Sequence, residues 1–122
     1  MKKKAKQYIT DKVTEEFYNR YPWLEEKYGE KGRKHTREDN DHHLNHLELA
    51  YERKDESFFS DYTVWLNDVL VSRGVGTKLI IENYEMIEQY LQEVEMYGDE
   101  RDYYIRLLES SIAHLKRITD TG

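Results

Sequence analysis

The chain has no cysteine. Disulfides, thiolate catalysis and cysteine-ligated metal sites are excluded, and the cytoplasm is the expected compartment. One proline and six glycines in 122 residues leave few places where a helix must break. No apolar run is long enough to span a membrane, and the basic opening Met1-Lys2-Lys3-Lys4 leads into no apolar signal segment. A phosphate loop is missing: Gly74-Val75-Gly76 lacks the Lys-Ser/Thr that would grip a nucleotide. Ser57, Ser60, Ser72, Ser110 and Ser111 stand in no nucleophile-elbow context. No enzyme is expected. A net charge of −6 disfavours nonspecific nucleic-acid binding.

What is present is charge and aromatic surface. Charged residues make up 36% of the chain and aromatics 13%, with eleven tyrosines. Disordered chains are poor in aromatics, so this composition points to a folded domain with a charged exterior. The length fits a single domain over residues 1–122 with one core.

Apolar spacing predicts an all-α fold of five to six helices. The first runs over Lys4–Asn19, with Ala5, Tyr8, Ile9, Val13 and Phe17 on one face. A short helix begins at Tyr21-Pro22-Trp23 and ends at Gly29, and Gly29 to Gly32 reads as a turn. A long helix follows over Arg33–Arg53, polar at first, then striped by Leu44, Leu47 and Tyr51. Asp55 is a suitable N-cap for the next helix, Glu56–Arg73, and Gly74 a suitable C′ residue. Thr77 and Asp99 introduce the last two helices, Lys78–Met96 and Glu100–Thr119. The helix number suits a globin-like sandwich, or a bundle with an N-terminal arm.

The stretch Asp39–Gly74 concentrates the chemistry. His42, His43 and His46 precede the run Phe58, Phe59, Tyr62, Trp65, Leu66, Val69 and Leu70. His42 and His46, at i and i+4 with Asp39 one turn earlier, could chelate a divalent metal. The count of ligands falls short, however: a di-iron bundle needs Glu-x-x-His on two helices, and only Asp39-x-x-His42 is present. His43 and His114 are the candidate haem ligands, and neither sits in a haem context. The alternative is that the histidines form the polar end of an aromatic-walled pocket, with a hydrogen bond from one of them to Tyr62 or Trp65 across the seam. In that reading Trp65 is the central packing residue, and Trp65→Ala costs about 3–5 kcal/mol.

The pattern His43-Leu44-x-x-Leu47, Phe59-x-x-Tyr62-x-x-Trp65-Leu66 and Leu70-x-x-Arg73-Gly74-Val75 resembles a family of small helical sensor domains. These are the non-haem globin sensor domains of sporulation histidine kinases in spore-forming bacilli, including stand-alone copies that inhibit sporulation. The resemblance implies a haem-free globin-like fold, a homodimer, and a tunnel holding a fatty acid or similar small apolar ligand. It also implies a stand-alone module that modulates a sensor histidine kinase by diverting its signal. Carried onto this chain, the tunnel is lined by His43, Leu47, Tyr62, Trp65, Leu66, Leu70 and Tyr84. Residues 21–115 also resemble the helical domain that precedes cobalamin-binding domains, but the cobalamin-ligating Asp-x-His-x-x-Gly signature is missing. Two other readings stand beside the sensor: a metal- or tetrapyrrole-binding protein using His42, His43 or His46, and a dimeric interaction adaptor.

Overall fold

The computed structural model describes residues 1–121. They form an all-α sandwich of five helices: α1 (Lys3–Arg20), α2 (Trp23–Arg53), α3 (Ser57–Ser72), α4 (Thr77–Leu91) and α5 (Gly98–Thr121). Among them, no helix is long and apolar enough to cross a membrane.

Cross-links between side chains give the directions of the helices. From α1, Lys6 reaches Glu48 (2.6 Å), Asp11 meets Arg37 (3.3 Å) and Tyr18 lies under the Arg33 guanidinium (4.4 Å). Helix α2 therefore runs antiparallel to α1. Tyr8 and Tyr21 donate to Glu93 and Glu82, both at 2.6 Å, which sets α4 antiparallel to α1 as well. Helix α5 closes the other side: Tyr103 donates to the Ala50 carbonyl (3.1 Å) and packs on Tyr51. The core between these layers holds Ile9, Val13, Leu44, Leu47, Phe59, Tyr84, Ile87, Leu108 and Leu115, all excluded from solvent.

Chain punctuation follows local chemistry. Asp55 accepts from the backbone N–H and hydroxyl of Ser57 (3.0 and 2.6 Å), holding the entry to α3 although it lies one residue outside the capping position. At the exit, Gly74 takes a left-handed φ of 84°, and the Val75 N–H reaches the Leu70 carbonyl (2.8 Å) while the Gly74 N–H reaches Val71 (3.0 Å). That is the Schellman pairing, which needs a residue free to adopt positive φ. Helix α4 ends at Leu91, short of the expected Met96, because the next residues form turns.

The expected turn from Gly29 to Gly32 is narrower than the sequence suggests. Gly29 alone leaves helical geometry (φ 57°, ψ −144°), and the helix resumes at once. Gly32 stays helical, and glycine is needed there because a Cβ would come within 2.4 Å of the Tyr18 hydroxyl and of Tyr28 Cβ. The short arm from Trp23 to Tyr28 is thus folded back against α1 and pinned by Glu25 to Arg33 (2.8 Å).

Candidate functional site

The seam between α2 and α3 is built around three rings. His43, on the buried face of α2, is 3% exposed, and its Nδ1 lies 2.7 Å from the Tyr62 hydroxyl. His46, one turn on, stacks flat on the Tyr62 ring, with centroids 3.8 Å apart and planes 13° apart. Tyr84 from α4 meets His43 edge-on at 5.5 Å, and its hydroxyl is hydrogen-bonded to Thr63 (2.9 Å). Burial pushes the His43 ring down to about 3, with His42 and His46 acting the same way, so this histidine is neutral near pH 7. Burial raises the Tyr62 and Tyr84 hydroxyls, which stay protonated.

Two depressions flank this wall. An inner cavity of about 320 Å³, itself half open to solvent, lies beneath the Trp23–Tyr28 arm. Phe17, Leu24, Leu79 and Ile80 give it apolar walls; His35, Thr36, Asp39, His43 and Asn83 supply its polar groups. Trp23 and Tyr28 stand at its edge, each about half exposed. On the far side, an open groove of about 820 Å³ runs between α2 and α3, floored by Phe58, Tyr62, Trp65 and Val69. Leu66, Leu70 and Asp39 border both. Asp39 is exposed as a residue, yet partial burial of its carboxyl pushes it above the ordinary carboxylate range, with His42 and His35 opposing.

The tunnel residues expected from sequence are thus divided. His43, Leu66 and Leu70 line the inner cavity, and Tyr62 meets His43 from the groove side. Leu47 and Tyr84 are packed solidly into the core and line neither depression. Trp65 requires a correction. It is 59% exposed and lies on the groove floor, so it is not the central packing residue, and Phe58 is exposed too. Helix α3 carries apolar residues on more than one face, and Phe59, Thr63 and Leu66 take the core-facing positions instead.

The histidines do not converge as a ligand set. His43 Nδ1 is held by Tyr62, and His46 Nδ1 lies 2.7 Å from the His42 carbonyl. Among the described residues, no three His, Cys, Asp or Glu side chains are grouped to hold a metal ion.

Sequence reasoning missed a polar anchor. Asn40 and Asn83 exchange two amide hydrogen bonds (3.1 and 2.6 Å) inside the core, tying α2 to α4 beside the inner cavity. The available signal was spacing: Asn40 lies one turn before His43, and Asn83 adjoins Tyr84 on a core stripe. The arm's aromatic contribution to the cavity was missed as well.

Set against family models, curated proteins and solved structures, the chain finds no match.

Proposed function

We infer that this chain is a noncatalytic sensing module whose inner cavity takes a small apolar molecule with an uncharged polar head. The observation that carries this reading is the cavity's make-up: apolar walls, a few polar groups among them, and two half-exposed aromatics of the arm at its edge. Ligand sites combine those features at volumes of roughly 300 Å³ and above. The family resemblance implies a fatty acid, but the cavity's chemistry favours a neutral head. Its polar groups include the Asp39 carboxyl and a neutral His43, and no lysine or arginine is among its lining residues. A carboxylate placed there would lose its hydration beside the Asp39 carboxyl without gaining a lysine or arginine partner.

Mass spectrometry of the protein prepared without detergent, under nondenaturing conditions, tests the reading. A copurifying neutral apolar molecule is expected, and Leu79→Trp, which fills the cavity, should remove it. A bare-chain mass together with no uptake of added apolar alcohols contradicts the reading.

The partner assignments rest on the resemblance of the α2–α3 pattern. They are a globin-like helix order, a cytoplasmic homodimer, and modulation of a sensor histidine kinase, the chain inhibiting sporulation by diverting that kinase's signal. Kinase autophosphorylation measured with and without the purified chain tests them; an unchanged rate at saturating protein speaks against a kinase role.

A further inference from the structure

We propose that the outer groove between α2 and α3 is a docking site for an amphipathic helix of a partner protein, one that carries basic residues along one edge. This proposal concerns a different surface from the inner cavity and does not depend on what the cavity holds.

The first argument is the shape of the apolar surface. Phe58, Tyr62, Trp65 and Val69 recur at spacings of four, three and four, the stripe by which one helix receives another. Trp65 and Phe58 are 59% and 39% exposed, and the groove is open along its length. The eleven residue steps from Phe58 to Val69 span about 16 Å, enough to seat roughly three turns of a partner helix. Exposed aromatics gathered into one such depression mark interaction surfaces, and large aromatics are the side chains that most often dominate binding energy.

The second argument is charge. Asp61 and Asp68, seven residues apart and both exposed, follow one edge of the stripe. Asp39 lines the groove from the α2 side. Arg73 is the one lysine or arginine lining the groove, and it lies at the far end of α3. An apolar stripe bordered by carboxylates spaced two turns apart is complementary to Lys or Arg at i and i+7 beside an apolar face. A second copy of this chain fits less well: antiparallel pairing of two α3 helices about a two-fold axis sets the Asp61–Asp68 edge against itself. Like charges so placed oppose association.

The test uses the whole protein and two labelled helical peptides with the same leucine stripe, one with Lys and one with Glu at i and i+7. Fluorescence anisotropy should show the Lys peptide binding at least tenfold more tightly than the Glu peptide. Trp65→Ala should weaken the Lys peptide at least tenfold. The double change Asp61→Lys and Asp68→Lys should invert the preference, whereas Glu15→Lys, an exposed site on α1 outside the groove, should leave it standing. Equal binding of the two peptides overturns the proposal, as does a Glu15→Lys effect as large as that at Asp61. So does self-association in sedimentation that Trp65→Ala abolishes, since the groove's occupant would then be a second copy. Folding of each variant is checked by circular dichroism; because Trp65, Asp61 and Asp68 are exposed, a retained helical spectrum is expected.

Discussion

The hydrogen bond between His43 Nδ1 and the Tyr62 hydroxyl, 2.7 Å long, joins the two depressions of the molecule: His43 lines the inner cavity and Tyr62 the outer groove. His43 pays for this place by remaining neutral, since burial holds its ring at about 3 against an ordinary 6.5. The unfolded chain therefore takes up a proton that the folded chain refuses. The stabilisation is complete above pH 6.5 and declines as pH falls from 6.5 toward about 3. Urea midpoints measured across that window should drop, and His43→Asn should show a shallower decline.

Trp65 and Phe59 make an internal control on one helix. Trp65 is exposed and Phe59 fully buried. Trp65→Ala should change stability by no more than about 0.5 kcal/mol, as at other exposed sites. Phe59→Ala should cost about 3–5 kcal/mol through the cavity it leaves. Thermal or chemical unfolding of the two variants decides it, and equal losses would place Trp65 back in the core.

Gly32 holds the arm against the body. A methyl group there meets the Tyr18 hydroxyl and Tyr28 Cβ at 2.4 Å. Tyr28 Cβ cannot yield without moving the backbone, so Gly32→Ala should lift the arm. Trp23 emission, read in a Trp65→Phe background, should shift to longer wavelength as that ring gains water. An unchanged spectrum would show the contact relaxing elsewhere.

Glu88 adds the opposite pH dependence. One carboxylate oxygen is buried without a hydrogen-bond partner. Desolvation first, then Glu109 and Glu85, push the group from 4.5 up to about 7, with Lys116 opposing. The folded chain keeps a proton that the unfolded chain gives up, so this contribution is whole below pH 4.5 and lost as pH rises through about 7. Glu88→Gln should flatten the stability profile on that side and raise the melting temperature at pH 8. A profile that the substitution leaves unaltered would refute the assignment.

Much of the architecture was legible in the chain because its signals are local. Helical periodicity marked the core stripes of α1, α4 and α5, Asp55 and Gly74 bounded α3, and the histidine-to-Tyr62 pairing follows from spacing on two adjacent helices. The orientation of α3 was not legible. With Val64, Trp65 and Val71 exposed and Phe59 and Leu66 buried, its pattern offers apolar residues in almost every direction, and only packing against α2 and α4 chooses among them. Nor could composition separate the two glycines of the bend. Gly29 is required by its own backbone angles, and Gly32 by the side chains Tyr18 and Tyr28 that press upon it. The Asn40–Asn83 pair was hidden because Asn40 belongs to a stretch of polar residues, most of which face solvent.

The most direct test of the sensing account compares decanol with decanoate at pH 8 by isothermal titration calorimetry, on the unmodified protein and on Leu79→Trp. The account predicts that decanol binds, that decanoate binds at least tenfold more weakly, and that Leu79→Trp abolishes the decanol signal. Decanoate binding as tightly as decanol, or decanol binding that survives Leu79→Trp, would contradict it.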